Sequence, residues 1–208
     1  MLGVIMVHFG SAPNSILDLI AKCGAKCPQL FFIVSAFLTW KALDKSSRSH
    51  IYKSFYSSRF IRIAPIYFGG LIVALLIPSI TIGRHTIGDY LSHILFLNGF
   101  FPQWTDNIMH VEWYIADLAI FYLLCPVLKR VVSNLKTSII TLLVSIIVSA
   151  MSLMFSNKIF AAQIDAFPSW ESYFHTYLFL HQLPVWMLGV VIYYLLKYGR
   201  TINWGGYY

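Results

Sequence analysis

Long apolar segments follow one another along the chain and leave little room for any fold but a bundle of membrane helices. Seven such segments occupy residues 1–10, 24–43, 60–78, 87–101, 113–128, 137–155 and 183–198. A helix that spans a bilayer needs roughly 20 apolar residues. Only 11% of the residues are charged, against roughly 25% in soluble domains. We therefore predict an all-α, polytopic transmembrane bundle of about six to seven segments, forming a single domain over residues 1–208.

Basic residues are concentrated between the apolar segments. The formal net charge is +7, which in a soluble protein would suggest nucleic acid. In a membrane protein, lysine and arginine instead gather in cytoplasmic loops, where they meet anionic lipid. We expect no nucleic-acid partner and a cytoplasmic location for three clusters: Lys41, Lys45, Arg48, Lys53, Arg59 and Arg62; Lys129, Arg130 and Lys136; Lys197 and Arg200.

The fourth segment, residues 87–101, decides how the helices are oriented. It is short, and it contains Asp89, His93 and Asn98. All three basic clusters can face the cytoplasm only if this segment does not cross the membrane fully, as a re-entrant or interfacial segment. If it does cross, one cluster must face outward, and the sequence leaves both alternatives open. In the first case residues 157–182 face outward.

Two arginines, Arg59 and Arg62, stand at the start of the third apolar segment, in SFYSSRFIRIAPIY. Residues three apart share one face of a helix, and arginine at a membrane boundary needs a partner or water. Paired guanidinium groups suit a phosphate-bearing ligand. The alternative is that they bind lipid headgroups and fix the topology.

Two ionisable side chains fall inside apolar segments. His8, in VIMVHFG, suits general-base or proton-shuttle chemistry, although a histidine bonded to a neighbouring carbonyl fits equally well. Asp117 lies one turn into the fifth segment, so it should face the bundle or water, with His8 or an arginine as candidate partner. Glu112, beside Trp113, is expected to be a solvated residue at the interface.

Other polar residues favour packing over chemistry. Ser35 lies among aromatic and small residues typical of closely packed helices. His175 and His181 are six residues apart, which is not the spacing of a helical metal pair. The three cysteines are Cys23, Cys27 and Cys125, and none has a histidine at zinc spacing. We expect no metal site.

Five stretches, in order, resemble the membrane acyltransferase-3 family, whose multi-pass members O-acylate bacterial surface glycans. They are VHFG, QLFFIVSAFL, FYSSRFIRIAPIY, WYIADLAIFYLLCPVL and LPVWMLGVVIYYL. The resemblance implies a multi-pass enzyme of the inner (cytoplasmic) membrane. It would move an acyl group, expected to be acetyl, from cytosolic acetyl-CoA to a hydroxyl of a cell-surface or lipid-linked glycan, such as lipopolysaccharide O-antigen.

The resemblance also implies roles for single residues. His8 would be the catalytic base or a transient acyl carrier, and Arg59 and Arg62 would contact the acyl-CoA donor at the cytoplasmic face. Asp117 would orient His8 or balance its charge. Residues 157–182 would lie nearer the glycan acceptor, where their aromatic rings suit sugar faces.

The chain departs from the family pattern at several positions. The basic residue expected eleven positions before His8 would precede Met1; Ala36 stands where glycine is usual, and Leu118 where many members have glutamate. The chain is also shorter than the ten-helix core of the family, so we expect it to be incomplete at both ends. Two alternatives remain open: a transporter or flippase for an anionic or glycan substrate, and an inactive remnant of the family.

Overall fold

A computed structural model describes most of the chain. The described residues are 24, 26–45, 51–77, 86–105, 108, 112–166, 170–171 and 173–203. The first predicted segment, residues 1–10, lies outside them, and so does His8. Every regular element in the described part is helical, which agrees with the predicted all-α class.

Seven α-helices and three short helical turns make up this part of the chain. The helices are α1 (Cys27–Lys45), α2 (Ile51–Leu76), α3 (Ile87–Ile94), α4 (Glu112–Val131), α5 (Leu135–Ile159), α6 (Ala161–Ala166) and α7 (Phe179–Asn203). Two 3₁₀ turns, Leu97–Gly99 and Pro102–Trp104, lie between α3 and α4, and a π-helical turn, Tyr173–Tyr177, precedes α7.

Three described stretches are long and apolar enough to cross a membrane: Lys53–Leu76, Leu135–Ile159 and Tyr173–Gly199. The predicted count of six to seven spans is therefore not confirmed. Helices α1 and α4 have 19 and 20 residues, which suffices in length, but both carry charged residues that lower their hydropathy. Helix α3 has eight residues, or about 12 Å at 1.5 Å per residue, too short to span.

The helix directions follow from contacts at one end of the bundle. Asp44, near the end of α1, meets Lys129 near the end of α4 and Lys197 late in α7. The C-terminal parts of these three helices therefore lie together, and we call this end the basic end. The opposite end, which carries α3, is called the α3 end.

Helices α2 and α5 run the other way, from the basic end towards the α3 end. Near the start of α2, Arg59 lies over the Tyr122 ring late in α4, whereas further along α2 Tyr67 packs in one cluster with Ile108, just before α4. Helix α2 thus reaches the α3 end and α4 returns from it. The short α3 stays at that end between them, so the described residues of the three basic clusters share one end of the bundle.

Aromatic packing holds α1, α4 and α7 together. The Phe121 and Trp186 rings stack with centroids 4.0 Å apart, and Phe32 lies 4.4 Å from Trp186. Gly189 brings α7 close to α1, because a Cβ added there would lie 2.8 Å from the Cβ of Ala36. Ala36, at the position where the family usually has glycine, thus packs against Gly189 of the facing helix α7.

Candidate functional site

Arg59 is held between two aromatic rings on the inner side of α2. Its guanidinium carbon lies 5.5 Å from the centre of the Phe55 ring and 5.4 Å from that of Tyr122 on α4. Arginine stacked on aromatic faces is attracted by their quadrupoles. The Tyr56 hydroxyl, one turn before Arg59, donates to the carbonyl of Leu123 at 3.2 Å and fixes α2 against α4. Arg59 is therefore half-buried in a defined position.

Arg62, three residues further on, is exposed. The two arginines lie one turn apart on α2 but differ in surroundings, since only Arg59 packs against α4. The sequence places the two arginines one helical turn apart, as the structure has them, but it does not reveal that only Arg59 contacts α4. The rings of Phe55 and Tyr122 position Arg59, whereas the side chain of Arg62 is exposed on the surface of α2.

A cavity of about 180 Å³ extends from Arg59 between α2 and α4. Its walls are almost entirely apolar; Ile63 and Ala64 of α2 face Ile115 and Ala119 of α4, and Phe96 lines it from the connection after α3. An apolar cavity of about 150 Å³ in a protein can hold benzene. The arginine therefore stands at the side of a space with room for a small apolar group.

Asp117 is 0% exposed on α4. Among the described residues, neither of its carboxylate oxygens has a hydrogen-bond partner. It faces the bundle, as its place one turn into an apolar segment indicated. A buried carboxylate without a partner is costly, so such a group is a candidate for function. His8, its candidate partner, lies outside the described residues.

A buried pair, His93 and Glu112, was missed by the sequence reasoning. His93 Nε2 lies 3.7 Å from Glu112 Oε1, and both side chains are 0% exposed. Glu112 Oε1 also accepts a hydrogen bond of 3.0 Å from the Ile108 N–H. The expectation that Glu112 is a solvated interfacial residue is wrong, because α3 and the segment at Ile108 cover the start of α4.

The tautomer of His93 follows from its other nitrogen. Nδ1 lies 2.8 Å from the carbonyl oxygen of Asp89, which can only accept, so Nδ1 carries a hydrogen. The Ser92 hydroxyl donates to the same carbonyl at 2.7 Å and lies 3.2 Å from Nδ1. The other ring nitrogen, Nε2, faces Glu112.

Asn98 completes a set of polar side chains at the α3 end. It is fully buried, and within the described part of the chain neither its amide oxygen nor its amide nitrogen has a hydrogen-bond partner. The turn that carries it packs directly on α4, since a Cβ added at Gly99 would lie 2.9 Å from the Cβ of Ala116. We call His93, Asn98, Glu112 and Asp117 the α3-end polar set.

The basic end has a different arrangement, centred on Asp44. Its carboxylate accepts from Lys129 at 2.9 Å, from the Tyr193 hydroxyl at 2.7 Å and from Lys197. Burial alone would raise the pKa of Asp44, but the hydrogen bonds from Lys197, Lys129 and Tyr193 hold it well below its usual range. This hub, which the sequence analysis did not single out, ties α1, α4 and α7 together.

Among the described residues, no three His, Cys, Asp or Glu side chains lie close enough together to hold a metal ion. His181, which the sequence assigned to packing, lies with Nδ1 3.0 Å from the Ser149 hydroxyl and joins α7 to α5. The ionisable groups that remain as candidates for chemistry are Arg59, Arg62, Asp117, His93 and Glu112.

Comparison with known proteins gives a match to one family. A family model described as an acyltransferase domain matches residues 1–207, which is almost the whole chain. No curated protein and no solved structure matches. The family is the one that the five sequence stretches resemble, and its membrane setting agrees with the three apolar helices. The chain belongs to the acyltransferase-3 family of membrane acyltransferases.

Proposed function

We propose that this protein moves an acyl group, acetyl in the first instance, from cytosolic acyl-CoA to a hydroxyl of a cell-surface or lipid-linked glycan at the inner membrane. Membership of the family supports acyl transfer in general. The observation that carries the more specific proposal is Arg59, held by two aromatic rings beside an apolar cavity at the basic half of the bundle. A guanidinium fixed in this way suits an anionic donor.

The two arginines divide the binding of the donor between them. Guanidinium groups bind phosphate through two parallel hydrogen bonds and stay charged at every relevant pH. Arg62 is exposed and available to the phosphates of CoA, whereas Arg59 is fixed nearer α4. Because both lie at the half of the bundle that carries the basic clusters, the donor enters from the cytoplasmic side.

His8 and Asp117 carry the chemistry in this proposal. His8 either takes the proton of the acceptor hydroxyl or accepts the acyl group itself before passing it on. In both routes the thioester carbon–sulfur bond breaks, its electron pair leaves with sulfur, and the hydroxyl proton ends on a base. A buried carboxylate beside an imidazole holds one tautomer and stabilises the charged ring. Asp117, which has no partner among the described residues, is suited to that role.

The acceptor approaches from the α3 end. The chain between the end of α5 and the π-helical turn lies there, and three aromatic rings from this stretch lie side by side. Phe160 and Phe174 stack with centroids 5.2 Å apart, and Trp170 lies 5.5 Å from Phe160. Trp170 is half-exposed and suits stacking on a sugar face.

Labelled acetyl-CoA supplied to membranes that contain the protein tests the proposal. Wild type should pass label to glycan or to the protein, His8→Ala should not, and Arg59→Ala should pass less label when acetyl-CoA is below saturation. Arg130→Ala, at an exposed position at the end of α4, is the control for the removal of a surface cation and should transfer normally. A metal chelator should have no effect. Substrate movement without modification would instead indicate a transporter, and transfer unchanged in folded His8→Ala would overturn the role of His8.

A further inference from the structure

The cavity between α2 and α4 is charged at one end and apolar at the other. Its walls run over residues 56–64 of α2 and 115–123 of α4, about 12 Å along each helix at 1.5 Å per residue. Arg59 meets Tyr122 at one end, whereas Ile115 lies at the other, two turns earlier on α4. The space therefore suits a ligand that has a polar head and a short apolar chain.

Arg59 is the charged group at the polar end. Among the described residues that line the cavity, it alone is charged, and no described carboxylate forms an ion pair with it. A guanidinium carries five N–H donors in its plane, and contact with the faces of two rings does not use them. This end of the cavity therefore favours a ligand that brings an oxygen to Arg59, rather than a plain hydrocarbon.

Alanines on both helices give the cavity its width. Ala64 of α2 and Ala119 of α4 line it, beside the longer side chains of Ile63 and Ile115. Because an alanine side chain ends at Cβ, the space between the helices stays open at these two positions. At about 180 Å³, it is larger than the roughly 150 Å³ cavity that holds benzene, so it has room for a chain of about six carbons.

Phe96 closes the apolar end of the cavity. Its ring lies nearly parallel to that of Tyr67, with centroids 5.4 Å apart and planes 19° apart. Tyr67 follows Ala64, the last lining residue of α2, by three residues, and is itself buried in a cluster with Ile108. Phe96 is therefore a supported wall that limits how far a chain can extend.

We propose that this cavity binds the acyl chain of the acyl-CoA donor, and that Ala119 and Phe96 limit the chain to about six carbons. The inference rests on the proposed acyl transfer and deepens it, because it extends the donor class from acetyl-CoA to butyryl-CoA and hexanoyl-CoA. Arg59 donates to the carbonyl oxygen at the head of the chain, and the methylene groups lie along the apolar walls. The cavity thus selects the donor before any bond changes.

Binding of CoA and its acyl esters tests this inference without requiring transfer. The protein in phosphatidylcholine nanodiscs is titrated in a calorimeter with CoA and with acetyl-, butyryl-, hexanoyl- and octanoyl-CoA, and the heat from empty nanodiscs is subtracted. From acetyl-CoA to hexanoyl-CoA, each added CH₂ should lower the Kd by about fourfold, the factor that corresponds to about 0.8 kcal/mol per buried CH₂. Octanoyl-CoA should gain nothing further, because Phe96 stops the chain.

Two substitutions should move the length limit in opposite directions. Ala119→Leu places three more carbons in the cavity and should reduce the advantage of hexanoyl-CoA over acetyl-CoA by about 10- to 100-fold, without changing the Kd of CoA itself. Phe96→Ala removes the end wall and should make octanoyl-CoA bind more tightly than hexanoyl-CoA. Ala150→Leu makes the same change as Ala119→Leu at an exposed position of α5. It is the matched control and should keep the wild-type series.

The same order should appear in transfer. The ratio of kcat/KM for hexanoyl-CoA to that for acetyl-CoA should be highest in wild type and Ala150→Leu, and should fall in Ala119→Leu. The wild-type series of donors needs no variant, so it decides the matter even if a substitution prevents folding.

The outcomes separate this inference from the proposed function. An equal Kd for acetyl-, butyryl- and hexanoyl-CoA, or no binding of any of them, would overturn the inference. A chain-length preference that folded Ala119→Leu retains in full would also overturn it and would assign the cavity to another occupant, such as a membrane lipid. The expected series in binding, together with no transfer from any donor by wild type, would uphold the inference and contradict the proposed function.

Discussion

Two aspartates at opposite ends of the bundle have opposite surroundings. Asp44 at the basic end accepts hydrogen bonds from two lysines and a tyrosine, and its side chain is 24% exposed. Asp117 towards the α3 end is 0% exposed and has no hydrogen-bond partner among the described residues. The contrast separates a carboxylate that stabilises the bundle from one whose burial costs free energy. Costly groups of this kind are retained where chemistry needs them.

The same contrast extends to the residues around each aspartate. At the basic end, Lys129 also lies 3.2 Å from the Tyr194 hydroxyl and over the rings of Trp40 and Tyr194. At the α3 end, the buried polar side chains include Asn98, which has no partner among the described residues, and the pair His93 and Glu112, which is too far apart for a hydrogen bond. At the basic end, ion pairs and hydrogen bonds join three helices, whereas at the α3 end several polar side chains are fully buried.

The largest effect expected on substrate binding concerns Arg59 and Arg62. Arg59→Ala should raise the KM for acyl-CoA by about 10- to 100-fold, because a charged hydrogen bond contributes about 1.5–3 kcal/mol. Arg62→Ala should have a smaller effect on KM, since Arg62 is exposed and shares the anion with solvent. Steady-state kinetics with acetyl-CoA as the varied substrate measures both. Equal effects, or an unchanged KM in Arg59→Ala, would contradict the assignment.

A matched pair of glycines compares the packing of the two ends. A Cβ at Gly99, towards the α3 end, would lie 2.9 Å from Ala116 Cβ and from Ile120 Cδ1, whereas a Cβ at Gly199, beyond the basic hub, would meet nothing within 4 Å. Gly99→Ala should therefore destabilise the fold by about 1–3 kcal/mol, the usual cost of overpacking. Gly199→Ala should be neutral or slightly stabilising, since alanine favours helix.

Thermal unfolding in detergent measures the effect of the two glycine substitutions. A melting temperature of Gly99→Ala equal to that of wild type would indicate that the turn after α3 is not packed tightly on α4. In that case the burial of Asn98 and Glu112 beneath it would also be in doubt.

The smallest effect is the contribution of the basic hub to stability. Asp44→Asn should lower stability by up to about 1 kcal/mol, as expected for a partly exposed ion pair, and should leave transfer unchanged. Because the folded-state pKa of Asp44 is lowered, its stabilisation is complete above the ordinary carboxyl pKa of about 4 and is lost as the pH falls below it.

The melting temperatures of wild type and Asp44→Asn should therefore differ near pH 6 and converge as the pH falls below about 4. The difference should also shrink in high salt, which screens exposed charges. A difference that stays constant from neutral to acid pH would show that the hub does not act through the charge of Asp44.

Sequence reasoning succeeded where a pattern is local. The apolar segments predict helices, and the place of Asp117 in one of them predicts that it faces the bundle or water; it is buried in the bundle. Sequence reasoning failed where two segments that are distant in the sequence come into contact. Glu112 appears interfacial because it opens a helix, but residue 108 and α3 cover it, and nothing in the spacing of His93 and Glu112 reveals their contact. Asp44 likewise gains its three donors from α4 and α7, far along the chain.

The count of spanning segments failed for a related reason. Charged residues in α1 and α4 are tolerated because these helices pack in the aromatic core of the bundle, while α3 is too short to cross. The sequence left open whether the fourth segment crosses, and the contacts that bring the ends of α1, α4 and α7 together agree with the alternative in which it does not.

One measurement tests the central claim most directly: transfer of label from acetyl-CoA by Asp117→Asn and Asp44→Asn, at equal amounts of folded protein in membranes. The account predicts that Asp117→Asn loses transfer by at least about 100-fold, as expected for a group in acid–base chemistry, while its thermal stability is unchanged or higher. Asp44→Asn should transfer like wild type and melt at a lower temperature. Normal transfer by Asp117→Asn, or loss of transfer in Asp44→Asn alone, would contradict the assignment of chemistry to the α3 end.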